Sequence, residues 1–586
     1  MLLFEQQHPD PFFNVKWILT LQYPSEIENR KGLLFMNIIK RVVGLGLTCL
    51  MTLSCFTACG DSAESTSSDL PEAAGNKTCI ISYNSSGYSH TWLERAAEEF
   101  EKAYEAEGYD LQLEIEFSAG SKASLEIPLG GEKNDVDLYI GAGDLESMLD
   151  ASNKTMRGEG AVLVDLTDCV WNKPGIGLDK QEEEKTLAER YFLDEEYLYY
   201  DGSLEEFHGG IYGIPGSVGS CGIIMNMSVV EQFGYTRENL PRTTDEFNEL
   251  CHKIAEKTAE TGIYPYSWPG ANAPGYITYL FYEYFAQYSG KEAFMNFVKT
   301  IPESGDIVND GWMVYEDQGI LEGFKAMEPI MKLEYSPKGS VNMTHMEAQH
   351  EMLVGNAAFI INGDWVLNEM ELEYYNEASQ CIMLNTPVLS VIGTESGITD
   401  AELSEAVGMI DSGNTNEQII AQIPDLDETE AQRIRDARNI YSCGDKSVRG
   451  GACIPAYADA KEVAILFLRF LYSEDGCQIV RDEAFNVASF TCESYDSVGD
   501  TPYMESVIAN INPGKGEYIS MDAGLSVVRA TSGMLPFNHP SIVAPSTFRF
   551  MITDTTGTLT PEYMYQSELD YVRSHWAQWV SYTGMV

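Results

Sequence analysis

The chain has few basic residues and lacks several short catalytic motifs. Its 586 residues include 37 Lys and Arg against 90 Asp and Glu, which gives a formal net charge of -53. Binding to a phosphate backbone relies on Lys and Arg, so the charge argues against a nucleic-acid partner. Neither G-x-S-x-G nor H-E-x-x-H occurs, and serine-hydrolase and zinc-protease functions therefore lack support.

Cysteines are present, but not at metal-binding or redox spacing. None of the 12 cysteines forms a C-x-x-C pair, so neither a zinc ribbon nor a thioredoxin-type site is indicated. We expect most of them, such as Cys79 and Cys251, to be small core residues. We predict no cofactor and no bound metal.

The N-terminal region has the layout of a secretory signal. From Met36 a short basic start precedes an apolar stretch and then small residues before Cys59. The apolar stretch is shorter than the roughly 20 residues that span a bilayer, although a transmembrane anchor is the alternative. The segment "FTAC" resembles a bacterial lipobox, which implies a lipidated Cys59 and a protein held on the extracellular face of the cell membrane.

The region after residue 77 alternates strand and helix patterns. "TCIISY" (78–83), "LQLEIEF" (111–117) and "VDLYIG" (136–141) are typical of strands, and an amphipathic helix between the first two ends near Gly108. This succession predicts a parallel α/β sheet. At 65.2 kDa the chain is too large for one core, so we expect at least two lobes.

Ligands of parallel sheets bind beyond the carboxyl ends of the strands. The loop 84–90 and the turn 141–144 should therefore face a common cleft, with Tyr88, His90 and Asp144 as candidate ligand-binding residues. Further along, the small-residue run 216–222 lets the backbone approach other groups closely. Its hydroxyls, Ser217 and Ser220, are also candidates.

Three segments resemble the bacterial extracellular solute-binding proteins of ABC importers, especially the carbohydrate-binding family that includes maltose-binding protein. They are "YGIP" (212–215) followed by "PRTTDEF" (241–247), "VGNAAFIINGDW" (354–365), and "GACIPAYADAKEVAILFLRFLYSEDG" (451–476). They occur in family order. The resemblance implies a two-lobed α/β periplasmic-binding-protein fold with crossing hinge segments, a carbohydrate ligand in the cleft, ABC permease subunits as partners, and no enzymatic activity.

One region departs from the family pattern. Residues 392–446 replace a short connection and carry capping boxes at Thr399 with Glu402 and Asp427 with Glu430, so we predict an inserted helical pair. We predict hinges near 214–222 and 385–388. The predicted parts are a mis-assigned extension (1–35), signal (36–58), flexible tether (59–76), lobe 1 first part (77–215), lobe 2 first part (216–386), hinge return and insertion (387–448), lobe 1 second part (449–530), and a C-terminal segment on lobe 2 (531–586).

The strand-like run that ends at residue 365 suggests a sugar site. A pyranose ring has apolar faces and polar edges, so its site needs an aromatic plate beside carboxylates and amides. The resemblance implies that Trp365 stacks on sugar, and its neighbour Asp364 is a candidate to bind a hydroxyl. The loop 264–276 offers Trp268 as a second wall. The alternative for Trp365 is core packing near the hinge.

The predicted function is capture of a sugar or oligosaccharide for an ABC importer. The alternatives are a polyamine or metal-ion binder of similar fold and a secreted carbohydrate-active enzyme. A glycosidase needs two carboxylates roughly 5 to 10 Å apart, but among 90 acidic residues such pairs arise by chance. A shift in thermal stability with sugars, polyamines or iron would separate these hypotheses.

Overall fold

The computed structural model describes much of the chain beyond the tether, and all the described residues lie in the unit Thr66–Val586. Cys59 and the predicted signal fall outside them. Within the described part, no helix combines the length and the apolar character that a membrane crossing requires. The described residues are 75, 77–84, 90–118, 123–127, 134–142, 162–193, 199–200, 210–443, 451–493, 501–511, 516–519, 547–554 and 556–583.

The strands are numbered in chain order. They are β1 Thr78–Asn84, β2 Gln112–Ser118, β3 Leu138–Ala142, β4 Pro174–Ile176, β5 Glu182–Thr186, β6 Tyr199–Tyr200, β7 Ile211–Pro215, β8 Ser217–Val218, β9 Ser220–Met225, β10 Tyr264–Ser267, β11 Ala357–Gly363, β12 Ile382–Leu384, β13 Ile440–Cys443, β14 Gly451–Cys453, β15 Val487–Ala488 and β16 Glu517–Ile519.

The α-helices are numbered in the same way. They are α1 Thr91–Glu105, α2 Ala123–Glu126, α3 Leu187–Arg190, α4 Met227–Val230, α5 Thr244–Thr261, α6 Thr278–Ser289, α7 Lys291–Lys299, α8 Ile307–Asp310, α9 Gln318–Met327, α10 His345–Leu353, α11 Val366–Glu369, α12 Glu371–Ser379, α13 Ser390–Glu395, α14 Asp400–Asp411, α15 Asn416–Gln422, α16 Glu428–Asn439, α17 Lys461–Leu471, α18 Glu474–Ala484, α19 Pro502–Ile511, α20 Thr547–Thr553 and α21 Pro561–Tyr582. Short 3₁₀ turns include Pro274–Ile277 and Gly311–Glu316.

The first sheet has the order β2-β1-β3-β14-β7-β6. β1 is parallel to β2 and β3, which confirms the three predicted strands. The apolar face of α1 covers this sheet, where Phe100 packs against Phe467 and Phe470 of α17 at ring distances of 5.3 and 5.8 Å. Lobe 1 is therefore completed by a segment more than 300 residues further along the chain.

The second sheet has the order β10-β11-β9-β13-β16, and β12 also pairs with β9. β9 runs antiparallel to β11, β12 and β13, whereas β10 is parallel to β11. Every residue of β9 and β11 is buried. Such continuous apolar strands form the centre of lobe 2, because both faces are covered by helices.

The chain passes between the two sheets at residues 215–220, where β7 ends in the first sheet and β9 begins in the second. β8 lies in this passage and pairs with β15. The chain next leaves the second sheet at β13 and rejoins the first at β14. Residues 517–519, which we predicted to belong to lobe 1, form β16 of the second sheet.

The predicted hinge at 385–388 is hydrogen-bonded to the segment at the start of α5. The backbone N–H of Val388 donates to the carbonyl of Arg242 at 2.8 Å, and its carbonyl accepts from the N–H of Thr244 at 2.9 Å. The insertion that follows forms four helices, α13 to α16, instead of a pair. Their apolar faces belong to the core of lobe 2.

Candidate functional site

Two loops leave the second sheet at the same edge. Ser267 of β10 lies opposite Ile360 of parallel β11, so Trp268 and Trp365 both follow carboxyl ends of neighbouring strands. This is the edge at which α/β sheets commonly bind ligands. The structure thus brings the two predicted tryptophans to one side of lobe 2.

Trp365 is the centre of an aromatic cluster. Its ring centroid lies 5.8 Å from that of Tyr276 and 6.5 Å from that of Tyr279, both edge to face. Trp365 is only 8% exposed, whereas both tyrosines are half-buried. Most of the accessible aromatic surface of this cluster therefore belongs to the tyrosines.

Gly363 makes room for the Trp365 ring. A Cβ added to Gly363 would lie 2.1 Å from Cζ3 of Trp365, far inside van der Waals contact. The ring thus lies directly over the backbone of the strand end. Any side chain at residue 363 would displace the ring and disturb the tyrosines that pack on it.

Trp268 is a structural support in this arrangement. It is 2% exposed, and its Nε1 donates to the carbonyl of Pro274 at 3.4 Å. This bond ties the end of β10 to the 3₁₀ turn Pro274–Ile277, which carries Tyr276. As placed here, Trp268 positions the loop, and its ring offers little surface to a ligand.

Asp364 and Ser220 join β9 to the end of β11. Both are 0% exposed. The N–H of Asp364 donates to the Ser220 carbonyl at 2.7 Å, and the N–H of Ser220 donates to Oδ2 of Asp364 at 3.2 Å. The hydroxyl of Tyr503 on α19 donates to the Asp364 carbonyl at 3.1 Å. Burial, followed by the charge of Asp364, raises the pKa of Tyr503, so this phenol stays a donor.

Asn362, the residue before Gly363 on β11, has a fully buried amide side chain. Its Oδ1 accepts from the N–H of Gly363 at 2.8 Å. Its Nδ2 has no hydrogen-bond partner among the described residues, although the side chain is 0% exposed. A buried donor without a partner costs roughly 1 to 3 kcal/mol, so this amide favours an added hydrogen-bond acceptor.

The helix that follows Trp365 is held at its C-terminal end by two side-chain hydrogen bonds. Glu369 of α11 accepts from Nε2 of Gln349 at 2.5 Å, and burial raises the pKa of Glu369. Asn368 donates through Nδ2 to the carbonyl of Ala484 at 2.6 Å. Ala484 ends α18, which packs with lobe 1, so the aromatic cluster is attached close to a contact between the lobes.

The carboxyl ends of the parallel strands β1, β2 and β3 lie at one edge of the first sheet. Nδ2 of Asn84 donates to the carbonyl of Gly141 at 3.3 Å. His90 is exposed, and its ring lies 4.6 Å from that of Phe117, which is itself 45% exposed. Phe117 ends the alternating run of β2, and that position could have marked it as a candidate. Tyr88 and Asp144 lie outside the described residues.

Ser217 lies in the passage between the sheets. It is half-buried and faces Ala488 in the β8–β15 pair. The hydroxyl of Ser220 contacts that of Tyr441. In the described part of the chain, no group of three or more His, Cys, Asp or Glu side chains is arranged to hold a metal ion.

Comparisons with known proteins identify the fold and the family. The sequence model of the family "Bacterial extracellular solute-binding protein" matches residues 90–476. No match was found among curated protein sequences.

Solved structures of solute receptors are similar in fold. A chitin oligosaccharide binding protein is 15% identical, with a TM-score of 0.52 over 86% of this chain and 99% of its own. The bacterial solute receptor AcbH, described as exclusively preferring β-D-galactopyranose, is 14% identical, with a TM-score of 0.50 over 86% and 100%. A probable secreted solute-binding lipoprotein from Streptomyces coelicolor is 13% identical, with a TM-score of 0.51 over 85% and 98%. At these identities the likeness shows the two-lobed fold alone.

The family match, unlike the structural likeness, extends over more than half of the sequence. The family consists of receptors that bind solutes, and this confirms the expectation of a binding protein instead of an enzyme. This chain belongs to the bacterial extracellular solute-binding proteins.

Proposed function

We propose that this protein is the substrate-binding lipoprotein of an ABC importer. It captures a sugar or oligosaccharide between its two lobes and delivers it to the permease subunits, while a lipid on Cys59 holds it on the extracellular face of the cell membrane. The observation that carries the sugar assignment is the aromatic cluster of Trp365, Tyr276 and Tyr279 at the carboxyl end of β11.

Half-buried aromatic rings suit the apolar faces of a pyranose. Tyr276 and Tyr279 would supply the faces, with Trp365 holding them in place. Two receptors of similar fold are described by a sugar they bind, a chitin oligosaccharide and β-D-galactopyranose, and this supports the same class of ligand here.

The other predicted site residues would either contact the ligand or hold the strand ends in place. His90, Tyr88 and Asp144 would contribute from lobe 1, with Phe117 added as an exposed ring beside His90. Ser217 would bind at the passage between the lobes. The predicted Asp364, Ser220 and Trp268 would act by holding the strand ends, since all three are buried.

Binding of ligand classes is tested first on the unmodified protein. We expect mono- or oligosaccharides to raise its melting temperature in a thermal-shift screen, and isothermal titration calorimetry then gives the affinity. Putrescine, spermidine and ferric iron form the comparison arms. Stabilisation by a polyamine or iron, with no response to any sugar, would contradict the proposal.

Truncation of the aromatic cluster locates the site. Tyr279→Ala should weaken sugar binding by roughly 2 to 4 kcal/mol, because it removes an accessible aromatic face. Trp365→Ala should weaken binding and also cost about 3 to 5 kcal/mol of stability, because its ring is mostly buried. Trp579→Ala, at a ring that is 7% exposed on α21, is the matched control. It should lose stability and keep its sugar affinity. Unchanged affinity in Tyr279→Ala and Trp365→Ala would place the sugar elsewhere.

Membrane attachment is tested separately. Cys59→Ala should release the protein from the membrane fraction into the soluble fraction, because lipidation requires the thiol of Cys59. The measurement is fractionation of cells that express either form. A mutant that stays firmly in the membrane fraction would contradict the lipoprotein assignment.

A further inference from the structure

A cavity of about 510 Å³ lies at the side of the second sheet, where β12 is flanked by the insertion and by α19. Its walls come from the segment before α5, from β12, from the ends of α14 and α16, and from α19. Neither Trp365 nor the tyrosines packed on it border this cavity. Its volume is within the range of small-molecule sites, roughly 300 to 1,000 Å³.

Three arginines line the cavity in a protein whose net charge is -53. Arg438 is fully engaged: its guanidinium makes two bonds to Asp411, at 2.8 and 2.7 Å, and donates to the carbonyl of Thr386 at 2.9 Å. Its side chain is 6% exposed. Arg438 therefore fixes the wall, joining the insertion to the end of β12, and has little capacity left for a ligand.

The other two arginines are less occupied. Arg237 lies 3.4 Å from Glu505 in an exposed pair, which contributes little energy. The guanidinium of Arg242 has no hydrogen-bond or ion-pair partner among the described residues, although Arg242 is half-buried. A Cβ on Gly408 would lie 3.1 Å from Cζ of Arg242, so the glycine leaves room for the guanidinium against α14.

The guanidinium of a half-buried arginine that has no partner can bind a carboxylate or phosphate through two parallel N–H donors. Of the two acidic residues in the wall, Asp411 is neutralised by Arg438, and Arg237 is already paired with Glu505, which leaves Glu238 against Arg242. The negative charge elsewhere does not forbid an anion, because salt screens it beyond about 8 Å at physiological ionic strength.

The rest of the lining suits a small organic molecule. Leu240, Ile382 and Leu384 form an apolar wall, and the amides of Asn385 and Asn439 lie among the polar lining. We propose that this cavity is a second binding site, for a small organic anion bearing carboxylate or phosphate groups, with Arg242 as its principal contact. The site is separate from the sugar cleft and does not depend on the sugar assignment.

Calorimetric titration of the whole protein with citrate and with inorganic phosphate, at constant ionic strength set by sodium chloride, tests the proposal. We expect saturable binding of at least one of these anions. Arg242→Gln should weaken it about tenfold or more, because a charge-assisted pair of hydrogen bonds is lost. Arg433→Gln is the matched control: it removes the same charge from α16 at a residue that pairs with Glu395 and does not line the cavity.

The titrations distinguish a specific anion site from its absence. Loss of binding in Arg242→Gln and retention in Arg433→Gln support the site. No saturable binding of either anion to the unmodified protein, or equal affinity in Arg242→Gln, overturns it. Should Arg242→Gln fail to fold, Gly408→Ala gives the second test, since its methyl group presses on the guanidinium and should reduce anion affinity without removing the charge.

Discussion

Glu283 on α6 is a carboxyl group in the core of lobe 2, and its titration should control stability. It is 1% exposed. Its Oε1 accepts from the N–H of Ser442 at 2.7 Å, and its Oε2 contacts the hydroxyl of Thr386. Burial disfavours the charged form and raises the pKa of Glu283 from 4.5 to about 8, although both hydrogen bonds act in the opposite direction.

The sign of the effect follows from proton binding. Between pH 4.5 and about 8 the folded protein retains the proton of Glu283 and the unfolded chain has lost it. Folding then takes up a proton, so stability falls as pH rises, by at most roughly 1.4 kcal/mol per pH unit. Below pH 4.5 both states are protonated and above about 8 both are ionised, so the contribution is constant outside this window.

Glu283→Gln keeps the shape of the side chain and removes the titration. We expect the difference in unfolding free energy between Glu283→Gln and the unmodified protein to grow steadily from pH 5 to 8, measured by urea denaturation at each pH. Glu328→Gln, at an exposed residue of the same lobe, should leave the pH profile unchanged. A difference that stays flat from pH 5 to 8 would show that Glu283 ionises at its ordinary pKa and would refute the reasoning.

Two further pairs of substitutions test the packing. Gly363→Ala should cost about 1 to 3 kcal/mol of stability and weaken sugar binding, because the added methyl group displaces Trp365. Gly222→Ala on β9, where nothing lies within 4 Å of an added Cβ, should keep the sugar affinity. Equal sugar affinities of the two variants would contradict the geometry of the aromatic cluster. Arg469 is 1% exposed and donates to Glu182 at 2.7 Å, so Arg469→Ala should cost toward the low end of about 3 to 5 kcal/mol in denaturation. Arg95→Ala, in an exposed pair, should cost less than about 1 kcal/mol, and similar losses would contradict the argument from burial.

Local signals in the sequence predicted local structure well. Both expected capping boxes form: Thr399 with Glu402 begins α14, and Asp427 with Glu430 begins α16. The partners lie three residues apart, so the geometry is fixed by the helix itself. The three strands of lobe 1 were predicted for the same reason, since alternation and apolar runs are properties of a short window.

Features that depend on distant parts of the chain were harder to predict. The segment 385–388 has the composition of a crossing segment, but backbone bonds to Arg242 and Thr244 hold it on lobe 2. Those partners lie more than 140 residues earlier. Likewise, β16 joins the second sheet by pairing with β13, and no local pattern in 517–519 encodes that choice.

The residues of the candidate site also differ in whether a local sequence pattern could identify them. Trp365 could be singled out because it follows a strand-like run and a turn. Tyr279 could not, because it is one of several aromatic residues on α6 and acquires its place only when that helix packs beside β11. The burial of Asp364 was also not evident, since a carboxylate at a turn is usually exposed.

The turn at the end of β11 shows why a binding platform needs residues that do not touch the ligand. Gly363 leaves space for the Trp365 ring, and Asp364 fixes the turn to β9 through two hydrogen bonds with Ser220. Tyr503 ties the same residue to α19. The helix α19 also lines the cavity that contains Arg242. It therefore contacts both the turn that orients the aromatic cluster and the second proposed site. A displacement of α19 would therefore change the wall of the cavity directly and the aromatic cluster through Asp364, with no direct contact between the two ligands.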